Sequence, residues 1–358
     1  MILLREVQER DLPALEKFSQ IPGFINIPND RELLREKVQR SIASFDGEYV
    51  EKKDTKYIFI AEDLTTGQAL GTAMIAGQHG SPESPHFYFQ LSKEERFSKT
   101  INTGFIHGTL ELKSETDGPS EIGGLVLNPD YRNSDARIGR QISFVRFLFL
   151  GLNRARFKDK VLAELLPPLN HKGLSPLWEA IGRRFTNMDY WEADQLCQKN
   201  KEFLYSLFPS GKIYTTFFTA DARNAIGQVG RETEPVLHML TKIGFHYLNQ
   251  VDPFDGGPHL WADVEQLLPL KRLGHYQYQG IVSAGSAPEG FEKTQGLLAK
   301  TDQKPGEFRA TAVDAWVRKG AQPQEHGTLF LKAGQESAEI EKVLGIARDC
   351  SVAFMAYY

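Results

Sequence analysis

A chain of 358 residues, 41% hydrophobic and 25% charged, has the composition of a folded globular protein and the length for two domains or one domain with an appendage. Its net charge of -4 at pH 7 and isoelectric point near 6.2 argue against nucleic-acid and membrane-surface partners, which select for basic patches. Cys197 and Cys350 are too few for a disulfide framework or a cysteine metal site, so no metal is expected and a reducing compartment fits.

Ile2 to Val7 reads as a first strand. Arg5 and Glu6 interrupt it too early for a signal peptide, and no long apolar run follows, so a cytoplasmic location is the expectation. Asp11-Leu12-Pro13 caps a helix that buries Leu15 and Phe18. A second helix runs from Asp30 to Phe45 with Leu33, Leu34, Val38 and Ile42 at helical spacing. Tyr57 to Ala61 and Ala69 to Ile75 are strands joined through a turn ending at Gly67. From His79 to Lys99 the chain is polar with interspersed aromatics, which predicts a loop and a short strand bordering a cleft. Thr109 to Leu112 alternates like a half-exposed strand.

The stretch from Glu121 to Leu150 reads as strand, basic loop, helix. Leu125, Val126 and Leu127 form an apolar run stopped by Asn128-Pro129-Asp130. Ile138, Ile142, Val145 and Phe149 then share a helical face, while Arg132, Arg137, Gly139 and Arg140 cluster about the loop and the helix start. A helix N-terminus offers unpaired N–H groups, and glycine admits close approach of a phosphate, so these residues form a candidate pyrophosphate seat. The competing reading is an arginine-rich surface turn over a core helix.

Downstream, Lys160 to Leu165 reads as a strand, followed by a loop with Pro167, Pro168 and His171. Ser175-Pro176 opens a helix with serine as cap. Its helix–glycine–phenylalanine–strand pattern recurs between Pro235 and Val251, a possible structural echo. Lys212 to Phe217 is a predicted strand, and Ala225 to Val229 a helix end or loop. Glycine, serine, proline and glutamine between Gly280 and Gly306 predict loops or a linker. Strands at Phe308 to Val317 and Thr328 to Lys332, a helix at Ser337 to Ala347 and a strand at Ser351 to Tyr358 complete the chain.

Arg137-Ile138-Gly139, with the preceding strand and following helix, resembles the acyl-CoA loop of the GNAT N-acyltransferases, although Arg140 and Gln141 stand where a second small residue belongs. The opening strand, two helices and hairpin also resemble the start of a GNAT domain. More specifically, LVLNPDYR, SPLWEAIGRRF, NMDYWEAD, KIYTTFF, AIGQV and VDPFDGGP, in this order, resemble the bacterial arginine N-succinyltransferase family from residue 3 to about residue 270. The resemblance implies an α+β fold: a GNAT-like mixed sheet flanked by helices, extended by a second GNAT-like half and a small C-terminal β-rich unit. Residues 1–270 would form the acyltransferase region, in halves 1–195 and 196–270, and residues 271–358 a stabilising or oligomerising unit.

It further implies succinyl-CoA, or another acyl-CoA, as co-substrate and a small amine, arginine or ornithine, as acceptor. Assembly as a homo-oligomer, or as a hetero-oligomer with a related chain, is expected as well. The position matching Leu125 contacts succinyl-CoA in the family, and an edge at Leu125, Val126 and Leu127 suits pantetheine amides; an ordinary core leucine is the alternative. Trp178 stands where many GNAT enzymes carry a proton-donating tyrosine, and the succinyltransferases use a histidine directly after Gly-Gln-Val instead. Here that position is Gly230. Leu166 replaces an arginine of a second family pattern, and Ile122-Gly123 departs from a third. Glu164 and His171 are the expected catalytic residues, with Asp189, Tyr214 and His238 as further candidates. Their ordinary readings are a solvated strand glutamate, a loop histidine, two motif residues without chemistry and a core histidine. A catalytically silent binding or regulatory subunit is the alternative function.

Overall fold

In the computed structural model of the chain, residues 1–21, 30–132, 134–197, 200–283, 286–320 and 326–357 are described. Their contacts divide it into two compact units, the first of Met1–Gly77, Ile122–Asp159 and Val264–Tyr358, the second of Gln78–Glu121 and Lys160–Asp263. The residues from Val264 on group with the N-terminal segment in the first unit. Among the described residues no helix is long and apolar enough to cross a membrane.

In chain order, β1 (Ile2–Glu6) leads to α1 (Leu12–Ser19) and α2 (Arg31–Asp46). Asp11 precedes α1 but does not cap it with its side chain; the carboxylate turns to the Gln8 amide at 2.8 Å and to the buried Arg5 guanidinium, a charged and therefore stronger partner. Asp30 does cap α2, accepting from Glu32 N and Leu33 N. The hairpin of β2 (Lys56–Asp63) and β3 (Gln68–Ala76) forms as expected.

The segment read as a loop and a short strand is instead one arm of a long hairpin, β4 (His86–Ser98) with β5 (Thr103–Glu115), paired from His86 opposite Glu115 to Ser98 opposite Thr103. Backbone pairing carries it where side-chain alternation is weak: its distal half is exposed, with Phe97, Ile101, Phe105 and Ile106 facing out. Next come β6 (Ser120–Leu127), α3 (Ile138–Leu152) and β7 (Lys160–Glu164).

The helix opened by Ser175 begins with a π-turn, Trp178–Gly182, and continues as α4 (Arg183–Thr186); the Ser175 hydroxyl accepts from Trp178 N at 3.0 Å as a cap should. A side chain at Gly182 would strike the Trp178 ring at 2.1 Å, so glycine admits the indole, which stacks on Phe254 with centroids 5.0 Å apart. After α5 (Tyr190–Cys197) and α6 (Glu202–Leu207), the expected strand shrinks to β8 (Ile213–Tyr214), because Thr215 turns its hydroxyl onto the Gly108 carbonyl. Then follow α7 (Ala220–Ala225), α8 (Glu234–Ile243), β9 (His246–Val251) and β10 (Pro258–Asp263). The echo is incomplete: α8 leads through Gly244 into a strand, whereas α4 leads through Asn187 into α5.

The stretch from Gly280 to Gly306 read as loops or a linker holds the end of one strand and the whole of another. After α9 (Leu268–Lys271) come β11 (Leu273–Val282), β12 (Phe291–Lys300), β13 (Arg309–Arg318), β14 (Gly327–Lys332), α10 (Ser337–Leu344) and β15 (Ser351–Ala356). Tyr358, expected in the last strand, lies outside the described residues.

The first unit orders its strands β12-β15-β11-β14-β13-β1-β2-β3-β6, with β11 and β14 parallel, hence a mixed sheet. The C-terminal strands join the N-terminal ones because β13 pairs with β1, Leu4 opposite Ala310, and because Phe308 enters the aromatic core of Phe45, Tyr57, Phe59 and Phe149. Helix α3 is buried along most of its length. Glu6 is buried here too: burial pushes its carboxyl up to about 7, the Phe308 amide opposes this, and Asp46 adds to it. With the folded pKa above the unfolded one, the folded chain keeps a proton that the unfolded chain releases, so this contribution to stability declines from about pH 4.5 to about pH 7. Glu6→Gln should raise Tm at pH 8 and change it little at pH 4.5; equal shifts at both pH values in thermal melts would refute that account.

The second unit orders its strands β7-β10-β9-β4-β5-β8. Trp178 is fully buried in it among Phe208 and Phe254, so it is a core residue.

Candidate functional site

In the first unit, β6 and the start of α3 hold the residues read from the sequence as an anion seat. Leu125 and Leu127 are half-buried and Val126 buried, so Leu125 is not an interior leucine. A side chain at Gly71 would lie 2.7 Å from the Val126 carbonyl, which shows how closely β3 approaches this strand. Arg137 occupies the cap position of α3 in the left-handed region, at φ 49°, and does not cap the helix with its side chain. Its carbonyl accepts from Arg140 N and Gln141 N. Gly139 is not required by packing, since a side chain there would meet only Leu127 at an ordinary 3.5 Å. Arg132 and Arg137 are exposed. Arg140 instead lies over the Tyr357 ring, 4.2 Å from its centroid. A hollow lined by Asp135, Arg137, Arg140, Gln141, Asp314 and Tyr357 opens beside this helix end.

In the second unit, Glu164 ends β7, and strand pairing sets His259 of β10 directly opposite it. Three imidazoles converge on one Glu164 carboxylate oxygen: His86 Nε2 and His259 Nε2 at 3.5 Å each, and His79 Nε2 at 3.8 Å. His79 Nδ1 pairs with Glu121 at 2.7 Å. The His86 ring stands edge-on to His79, centroids 4.5 Å apart, and stacks on His259 at 5.2 Å. His86 and His259 are 1% and 0% exposed, and among the described residues neither has a hydrogen-bond partner on either ring nitrogen. Glu164 is half-buried, with 23% of its side chain exposed.

Burial governs the charges. It opposes ionisation of Glu164, but His259, His86 and His79 outweigh it and hold the carboxyl well below the usual range. Burial takes His86 down to about 3, helped by His79, and lowers His259 as well. His79 is also penalised by burial, yet Glu121 raises it above the ordinary value. Asp252, which accepts from Phe254 N at 2.7 Å and Asp255 N at 3.0 Å, is pushed by burial and then by Glu164 up to about 7; burial and Asp252 raise Asp255 well above its normal value. The result is an ionised carboxylate facing three imidazoles, of which burial disfavours protonation of His86 and His259 while Glu121 favours it at His79, an arrangement able to attract a cation.

Of the residues expected to be catalytic, Glu164 thus sits at the centre of a cluster. His171 does not join it: it is exposed on a turn held by Asn170. Asp189 accepts from Glu192 N at 2.8 Å at the start of α5, and Tyr214 donates to Glu94 at 2.8 Å. His238 is exposed on α8, which removes the reading as a core histidine. Gly230 donates its amide to the Leu166 carbonyl at 2.8 Å, and a side chain there would lie 3.0 Å from the Pro167 carbonyl, so histidine would require the backbone to shift. The sequence reading missed His79, His86 and His259. The available signal was that His259 directly follows VDPFDGGP; His79 and His86 lay in the stretch read as loop.

A family model described as arginine N-succinyltransferase beta subunit matches residues 2–268. An arginine N-succinyltransferase of Escherichia coli O139:H28 is 32% identical over 312 residues, 84% of this chain and 90% of the relative, and one of Shigella flexneri gives the same figures. The solved structure of the arginine/ornithine succinyltransferase subunit AI from Pseudomonas aeruginosa has the same fold, with a TM-score of 0.80 at 24% identity over 99% of this chain and 98% of that one.

Proposed function

The chain belongs to the arginine N-succinyltransferase family and is an acyl-CoA-dependent N-acyltransferase of that kind, and we propose that it moves a succinyl group from succinyl-CoA to the α-amine of a small basic amino acid, arginine or ornithine. The observation that carries the acceptor half of this reading is the ionised Glu164 carboxylate facing buried, unpartnered imidazoles. An amino acid's amine arrives protonated and is not nucleophilic until it loses that proton. Glu164 attracts the cation, and His259, set opposite it by strand pairing, takes one proton so that the neutral amine can attack the thioester carbonyl; the second amine proton leaves to water as the tetrahedral adduct expels sulfur. The departing thiol has a pKa of about 8.5, so water can return a proton to sulfur and no side chain is needed at Gly230. In the first unit, the strand end at Leu125, Val126 and Leu127 takes the pantetheine amides, while the first turn of α3 with Arg132, Arg137, Gly139 and Arg140 takes the pyrophosphate.

A second reading, a silent subunit of a larger assembly, is favoured by Gly230 and Leu166, which replace residues of the family pattern. A family described as a beta subunit and a solved relative described as subunit AI suit assembly with a second copy or a related chain.

CoA binding tests the first half directly. A ligand at a hundred times its dissociation constant stabilises the folded state by about 2.7 kcal/mol, so succinyl-CoA should raise Tm clearly. Arg137→Gly should weaken that shift although it relieves a left-handed backbone, which separates loss of the side chain from strain. No shift with any acyl-CoA at millimolar concentration would end this reading. Turnover of arginine or ornithine by the purified chain alone would end the silent-subunit reading.

A further inference from the structure

Three histidines around one carboxylate are more than proton transfer requires. His86 keeps both ring nitrogens without hydrogen-bond partners among the described residues while 1% exposed, an expensive arrangement unless something binds there. Its Nε2 and that of His79 both face Glu164 Oε1, at 3.5 and 3.8 Å. Two ligands bound at about 2.1 Å to a tetrahedral ion stand about 3.4 Å apart, so these separations are close to those of a ligand set. His79 is further held from behind, with Nδ1 on Glu121 at 2.7 Å, the carboxylate–histidine pairing that orients metal-bound imidazoles and raises their basicity. A second triad, Glu164, Asp252 and His259, shares the same carboxylate, but there the Asp252 oxygen accepts two backbone amides.

We infer that His79, His86 and Glu164 bind one divalent transition-metal ion of the zinc class, through His79 Nε2, His86 Nε2 and the Glu164 carboxylate. Imidazole and carboxylate are the ligand types of zinc and cobalt(II), whereas magnesium and calcium select all-oxygen shells. Three protein ligands leave at least one coordination position for water, and an ion there takes up the Glu164 charge that otherwise draws the protonated amine, so the two occupants of this carboxylate are alternatives. His259 stays outside the set, free for proton transfer. The inference concerns the site proposed above for the acceptor, but ion binding is measured without turnover, so either reading can fail alone.

The test uses the full chain, stripped of metal with EDTA and dialysed, then titrated with cobalt(II) and with zinc(II). One cobalt per chain with visible absorption bands is expected, displaced by one zinc and accompanied by a rise in Tm. His86→Ala should weaken binding at least a hundredfold, and His246→Ala, at an exposed histidine, should leave it unchanged. Glu121→Gln keeps a hydrogen-bonding group behind His79 and should weaken binding about 10- to 100-fold, which tests the site even if His86→Ala misfolds. No binding at millimolar metal, or binding that survives both His86→Ala and Glu121→Gln, overturns the inference. So does binding abolished by Asp252→Asn and untouched by His86→Ala, which would put the ion on the other triad.

Discussion

His259→Gln is expected to lower kcat by about 10²- to 10⁴-fold, the usual contribution of a positioned proton acceptor, while leaving the dissociation constant for CoA unchanged. Glutamine approximates the length of the side chain but cannot accept a proton at neutral pH. The backbone should hold, because His259 is fixed opposite Glu164 by pairing of β10 with β7 rather than by its ring, whose nitrogens make no hydrogen bond among the described residues. Single-turnover rates with saturating succinyl-CoA, read beside a CoA binding isotherm, separate the two effects. A kcat within threefold of the parent would remove His259 from the mechanism; equal losses in kcat and CoA affinity would point to a fold defect instead.

Arg5→Met is expected to destabilise the first unit by about 3–5 kcal/mol, the cost of removing one partner from a buried ion pair. The Arg5 guanidinium is gripped by Asp11 at 2.7 and 2.8 Å, by Glu62 through Nε, and by the Glu6 carbonyl at 2.9 Å, with all three side chains of the charged cluster nearly out of solvent. Burial disfavours its charge, but Asp11 and Glu62 outweigh this and raise its pKa, so the cation is held firmly. Methionine fills the space and leaves two carboxylates facing it; Arg10, 3.0 Å from Glu62 yet largely exposed, replaces little of the lost charge. Urea denaturation with an unchanged m-value measures the cost. A loss below 1 kcal/mol would mean that water or Arg10 satisfies the acids.

Local patterns were reliable where a residue's own neighbours decide its conformation. The hairpin around Gly67, the Asp30 cap, the Ser175 cap and the helix carrying Ile138, Ile142, Val145 and Phe149 all stand as the sequence predicts. They failed where distant segments decide. β4 and β5 hold each other along thirteen residues apiece despite a polar, exposed distal half, and β12 forms, paired with β13 and β15, in a stretch whose composition suggests linker.

By itself the sequence determined the α+β class, the family through six ordered motifs, the arginine-and-glycine helix start that suits a pyrophosphate, and Glu164 as a candidate for the chemistry. Those properties reside in short contiguous runs, where spacing and residue type express helix ends, strand ends and turns directly. Only the tertiary structure decided what surrounds Glu164. His79, His86 and His259 come from a loop, the first residue of β4 and β10, and no periodicity links residues 79, 86, 164 and 259. Their convergence depends on strand register, and their charge states on burial; both are properties of the packed unit that no local window of the chain contains.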